Sequence, residues 1–222
     1  MLTDFDRSAD ERADDPHGGQ PIRRHGPPLA AARLVVILVH GRGGSAQDML
    51  SLATAFDAND VAYIAPQAAE RTWYPYSFLA PIEDNEPGIS SGLRVLTTLV
   101  DGLGREQIPP SRVAVLGFSQ GACLALEFAA RHPRRYAAIV GLSGAVIGPP
   151  GTPRNDVGSL EETPVFLGCS DIDPHIPLSR VHESADVFRR LGASVDERIY
   201  PRMGHTVNQD EVEAIRALLK AD

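Results

Sequence analysis

Ser119 stands in Gly117-Phe118-Ser119-Gln120-Gly121, a serine with a glycine two residues to either side. A serine hydroxyl is a weak nucleophile at neutral pH, and this spacing offers it room. On a tight strand-to-helix turn the glycines let neighbouring backbone close in while the hydroxyl projects into a pocket. The chemistry that suits such a hydroxyl is acyl transfer, provided a base takes its proton and a third group orients the base. Seven histidines are available: His17, His25, His40, His132, His175, His182 and His205. The run Cys169-Ser170-Asp171-Ile172-Asp173-Pro174-His175-Ile176-Pro177 offers two carboxylates. Asp171 and Asp173 could each reach an imidazole from a loop of that length, and each could equally be a turn-forming residue before a helix. His175 could line a site but reads more simply as a turn residue. Cys123, four residues past Ser119 on one helical face, reads as a small packed hydrophobe.

These residues need a scaffold, and the pattern from Arg33 onward supplies one. Short apolar, β-branched runs at Leu34–His40, Val61–Ala65, Arg112–Gly117, Ala137–Leu142, Val165–Gly168 and Val195–Tyr200 predict strands. Helical periods separate them, which argues for crossovers and a mostly parallel sheet; continuous runs such as LVVILV fit strands covered by helices on both faces. Ser45 predicts a cap before Met49, Leu52, Ala53 and Phe56, and Leu93, Leu96, Leu99, Val100 and Leu103 mark a second helix. A third follows Ser119 and stops at Pro133, a fourth runs from Val181 to Gly192, and the last carries Val212, Ile215, Leu218 and Leu219. The strand VAVLGF before Ser119 and the helix QGACLALEFAARHP after it are the context the serine's turn requires. Residues 66–92 and 143–164 read as loops. In the first of these, Trp73, Tyr74, Tyr76 and Phe78 are candidates for an acyl or aromatic-substrate wall, with Trp73 and Tyr74 as the substrate-binding pair. Residues 1–28 show no apolar period and predict an N-terminal arm, mobile or surface-hugging, ahead of a single catalytic domain over 29–222.

Composition narrows the function classes. The 222 residues are 43% hydrophobic, enough to bury one core without disulfides or metals. Asp plus Glu outnumber Lys plus Arg by 29 to 21, and the net charge of −8 argues against nucleic-acid partners and anionic membranes. The opening MLTDFDRSADERADD is too acidic for an export signal, and Leu34–Val39, the longest strongly apolar stretch, is too short to cross a bilayer. A cytoplasmic protein with no integral membrane association is the expectation, and a disulfide between its two cysteines, Cys123 and Cys169, is not. A homo-oligomer is compatible with all of this. Gly41-Arg42-Gly43-Gly44-Ser45-Ala46 matches a dinucleotide fingerprint, but the next strand ends in Pro66-Gln67 without the acid that would hold a ribose. No lysine follows the glycines to make a P-loop, and the histidines and cysteines lack metal-ligand spacing, so no cofactor and no metal are expected.

Four motifs in order carry a resemblance: His40-Gly41 after the first apolar strand, GFSQG, Asp173-Pro174-His175-Ile176-Pro177, and Gly204-His205 near the end. Together they resemble the phospholipase/carboxylesterase family of serine esterases, which includes small bacterial carboxylesterases and acyl-protein thioesterases. The resemblance covers roughly Arg33 to the C-terminus and implies the α/β-hydrolase fold, here without a large lid. It implies Ser119 as nucleophile. His205, in the loop after the last strand and before the final helix, takes the place of the base. The acid is the aspartate before proline, which selects Asp173 and leaves Asp171 in reserve. Carried over by position, the oxyanion donors are the backbone N–H groups of Arg42 and Gln120. Two departures stand out: two extra residues between Gly168 and Asp173, and an arginine at 42 where an apolar residue is usual. The Arg42 side chain is expected in solvent, with the pocket rim, where it would favour acidic or polar substrates, as the alternative. The implied activity is hydrolysis of small or short-chain carboxylic esters through an acyl-enzyme. The alternatives are an acyl thioesterase or lysophospholipase with the same triad and, in another class, a ligand-binding protein that keeps the fold without catalysis.

Overall fold

The structure, a computed structural model, describes residues 14–220. Seven strands form one sheet: β1 (Ile22–His25), β2 (Leu34–Val39), β3 (Val61–Pro66), β4 (Val113–Phe118), β5 (Ala138–Leu142), β6 (Pro164–Ser170) and β7 (Ser194–Tyr200). Their spatial order is β1-β3-β2-β4-β5-β6-β7. β1 runs antiparallel to β3 and every other pairing is parallel. Among the described residues four α-helices lie between them, α1 (Ala46–Ala53), α2 (Gly88–Arg105), α3 (Gln120–Arg131) and α4 (Leu178–Arg190), and a fifth, α5 (Gln209–Lys220), follows β7. The mostly parallel sheet with helices on both faces is the α/β-hydrolase arrangement, and residues 66–87 and 143–163 form no large helical lid.

The inner strands read as unbroken apolar runs because successive side chains feed two different cores. Val35, Ile37 and Val39 of β2 join Val113 and Val115 of β4 in a layer with α2, α3 and α4. Leu34, Val36 and Leu38 point the other way, with Ala114 and Leu116, toward α1 and α5. Burying each such aliphatic side chain stabilises the fold by roughly 1.5–3 kcal/mol. Helix α1 begins where Ser45 accepts a hydrogen bond from the Asp48 N–H, the cap its sequence predicts.

The six predicted strands are present with ends shifted by no more than two residues. The seventh, β1, lies inside the segment read as an arm. All four of its residues are exposed, so it carries no apolar signal, and its backbone is held by pairing Ile22 opposite Pro66 through His25 opposite Tyr63. Residues 14–20 also touch the domain: the His17 N–H donates to Ser91 Oγ at 3.0 Å, and Asp15 accepts from Ser91 and pairs with Arg94. The first thirteen residues of that arm lie outside the described residues.

Candidate active site

Ser119 sits between β4 and α3 with φ 55° and ψ −123°, a backbone region that costs a non-glycine residue about 1–3 kcal/mol. The flanking glycines make that turn possible. A Cβ at Gly117 would run into the Gly121 backbone, and one at Gly121 would run into the carbonyl oxygens of Val39 and His40. The Ser119 N–H donates to Leu142 O at 2.9 Å, so the turn stays registered on β5 while Oγ faces the cleft.

The loop after β7 brings His205 to that hydroxyl. His205 Nε2 lies 2.8 Å from Ser119 Oγ, and its Nδ1 lies 2.7 Å from Asp173 Oδ2. Gly204, at φ 80°, turns the loop inward, and its N–H donates to Ser170 Oγ at 3.1 Å. The imidazole packs 5.2 Å from the Phe118 ring and edge-on to His175 at 4.8 Å between centroids. Of the two aspartates, Asp173 is the one bonded to the imidazole. Its side chain is fully buried, and Oδ1 accepts the N–H groups of His175 at 2.8 Å and Ile176 at 3.1 Å. Burial by itself would raise this carboxyl's pKa, but the hydrogen bonds from His205, His175 and Ile176 outweigh it and hold the group below the ordinary aspartate value. Asp171 turns away and accepts the Arg202 N–H at 2.7 Å.

Two backbone N–H groups expected near the developing negative charge, those of Arg42 and Gln120, belong to residues lining the same cleft. Gln120 opens helix α3, where the first N–H groups have no intrahelical acceptor and the helix dipole favours an anion. The Arg42 loop follows β2 and is fixed through His40. Its Nε2 accepts the Ala68 N–H at 3.0 Å, so the proton is on Nδ1, which donates to Gly41 O at 2.8 Å. Burial holds the His40 pKa down and keeps this ring neutral.

The cleft has a volume of about 590 Å³, with Tyr74, Tyr76, Phe78, Phe118 and Ile176 on its walls. Tyr74 therefore stands where the sequence placed it, but Trp73 does not. Trp73 is fully buried in the core below the cleft, with its indole N–H donating to His40 O at 2.9 Å. An aromatic in a proline-rich loop packs inward when every polar group it carries has a partner. The Arg42 side chain is exposed, as expected, and it stands at the rim of the cleft. It donates to Thr72 Oγ1, Pro75 O and Tyr76 O and lies 5.9 Å from the Tyr74 ring centroid, strapping the cleft wall to the Arg42 loop. The Gln120 side chain does the same from the other side: Oε1 accepts Trp73 N–H at 2.8 Å and Nε2 donates to Tyr74 O at 2.7 Å. Neither strap has a local sequence signal, since the partners are thirty or more residues apart. Cys123 also lines the cleft, with its thiol pushed up to about 11 by burial.

Among the described residues no three His, Cys, Asp or Glu side chains gather as metal ligands, and no helix is long and apolar enough to cross a membrane.

Known proteins share this architecture and part of its sequence. The profile of the phospholipase/carboxylesterase family matches residues 27–221. The crystal structure of a phospholipase/carboxylesterase from Dyadobacter fermentans superposes with a TM-score of 0.88 at 36% identity, covering 91% of this chain and 97% of that one. NocK of Nocardia uniformis subsp. tsuyamanensis, which carries the name of an esterase, is 30% identical over 152 residues; the match takes in 68% of this chain and 43% of NocK, less than half its length. Acyl-protein thioesterase 1 of Saccharomyces cerevisiae is 26% identical over 214 residues, spanning 86% of this chain and 94% of the yeast protein. A strained serine on a strand-to-helix turn, a histidine and aspartate delivered by the last two strand ends, and a family profile running nearly the whole length converge on one conclusion: this chain is a hydrolase belonging to the phospholipase/carboxylesterase family.

Proposed function

We propose that the protein is a serine carboxylesterase that hydrolyses small or short-chain esters through an acyl-enzyme, with residues 29–222 as its catalytic domain. The observation that carries this reading is the His205 imidazole held between Ser119 Oγ and Asp173 Oδ2. Ser119 Oγ attacks the ester carbonyl carbon as its proton passes to His205 Nε2, forming a tetrahedral oxyanion. The N–H groups of Arg42 and Gln120 stabilise that oxyanion, a contribution of about 3 kcal/mol per donor in related sites. His205 returns the proton to the alkoxide oxygen, the alcohol departs, and Ser119 is left esterified. Water, deprotonated by His205, then attacks the acyl carbon; collapse releases the carboxylic acid and restores the Ser119 hydroxyl. Asp173 keeps the proton on Nδ1 so that Nε2 can accept, and it stabilises the imidazolium. The cleft volume and its Tyr74, Tyr76 and Phe78 wall suit a small acyl or aromatic ester.

A second reading, acyl thioester hydrolysis by the same steps with a thiolate leaving, is favoured by the yeast thioesterase aligning over 86% of the chain. A panel of nitrophenyl esters and acyl thioesters of increasing chain length tests both, with Ser119→Ala as control. The expected result is highest kcat/KM on short nitrophenyl esters and loss of several orders of magnitude in Ser119→Ala. Hydrolysis surviving in that variant would rule out Ser119 as the nucleophile, whereas no turnover by the wild type would point to a protein that binds ligands without catalysis.

A further inference from the structure

Trp73 is the only tryptophan of the chain and sits beneath both predicted oxyanion donors. Its N–H bonds the side chain of Gln120, and its indole N–H bonds the carbonyl of His40, two residues before Arg42. Its third polar group, the carbonyl oxygen, is taken by His17. His17 Nδ1 accepts the Ala69 N–H at 3.2 Å, which leaves Nε2 protonated and donating to Trp73 O at 2.8 Å. The successive amides of Ala68 and Ala69 thus end on two imidazoles, His40 and His17, and both rings pack against Trp73, with centroids 5.2 and 5.1 Å away. His17 is 4% exposed, and its own N–H is anchored to Ser91 on α2. It stands ahead of residue 27, where the family profile begins.

We infer that His17 is a positioning residue for the oxyanion loop, acting through Trp73, so that the segment around residues 15–17 belongs to the working active site. The inference rests on the serine-esterase reading of the cleft. A buried carbonyl that loses its donor seeks another, and Trp73 can move only by dragging Gln120 and His40 with it. Displacing oxyanion donors by a fraction of an ångström weakens binding of the tetrahedral intermediate more than binding of the ester, so the loss falls on kcat.

The test compares the full-length wild type, His17→Ala, His17→Gln and Ser119→Ala on p-nitrophenyl acetate, with tryptophan emission recorded for each. His17→Ala is expected to lower kcat roughly 10- to 100-fold with KM changed less than about threefold, and to shift the Trp73 emission to the red. His17→Gln, whose amide can again donate to Trp73 O, is expected to recover most of the kcat. Should His17→Ala fail to fold, Ser91→Ala carries the test: it frees the His17 N–H anchor without touching Trp73, and a several-fold lower kcat with a shifted emission is expected. Wild-type kcat in the folded variant, or a kcat loss that glutamine does not recover, would overturn the inference. Activity surviving in Ser119→Ala would instead sink the underlying catalytic reading, so the two failures are distinguishable.

Discussion

At the scale of single residues, the imidazole of His205 decides what the cleft can do, because its two nitrogens bond different partners. An unoriented histidine would spend much of its time in the wrong tautomer; Asp173 removes that freedom. Asp173→Asn is therefore expected to lower kcat by about three to four orders of magnitude while the protein stays folded. Asp171→Asn, which alters only the support under Arg202, should leave kcat within about tenfold on the mechanism's terms, and steady-state kinetics on one ester reads both. The meeting of Ser119 and His205 in one cleft was legible from motif and chain position. Choosing between the two aspartates took the family resemblance, because their difference is made in three dimensions. Only Asp173 caps its own turn with one oxygen, leaving the other for the imidazole. Trp73 misled for a related reason. Its type and loop suggested a substrate wall, but three bonds to partners distant in sequence turn it inward.

At the scale of elements, the turn between β4 and α3 depends on how closely that helix start approaches the end of β2. Gly121 has the Val39 and His40 carbonyls where a side chain would begin. Gly121→Ala should therefore destabilise the fold by about 2–3 kcal/mol or prevent it from forming, since the neighbour that must yield is backbone of a central strand. A thermal melt checks this; an unchanged midpoint would mean that the strand and helix separate freely. The inner strands were legible because both their faces are covered, which writes continuous apolar runs into the sequence. β1 was not legible, being an exposed edge held by backbone pairing. The straps from Arg42 and Gln120 onto residues 72–76 were equally hidden, because backbone carbonyls accept from any donor that reaches them and leave no residue-type signal.

At the scale of the whole molecule, the sheet separates two cores, and the smaller holds a carboxyl that its surroundings oppose. Glu211 is fully buried at the start of α5; its Oε2 accepts the Asn208 N–H while Asn208 Oδ1 accepts the Glu211 N–H, a reciprocal cap. Its other oxygen has no hydrogen-bond partner among the described residues and lies against Gly168 of β6. Burial raises the Glu211 pKa to about 7 from an ordinary 4.5. The folded state then holds this proton more tightly than the unfolded chain does, so the contribution is fully present below pH 4.5 and is lost as pH rises toward 7, a change on the order of 3 kcal/mol. Glu211→Gln removes it. Its melting temperature relative to wild type should rise with pH across that window, whereas a constant offset would show that Glu211 does not titrate there.

In the proposed mechanism everything turns on Ser119 becoming covalently acylated during turnover. Rapid mixing of the enzyme with p-nitrophenyl acetate, followed by acid quench and peptide mapping by mass spectrometry, tests it most directly. A burst of nitrophenol approaching one per active site is expected, with an acetyl group on the peptide containing Ser119 that is absent in Ser119→Ala. Steady hydrolysis with the acetyl group on another residue, or a burst that persists in Ser119→Ala, would contradict it.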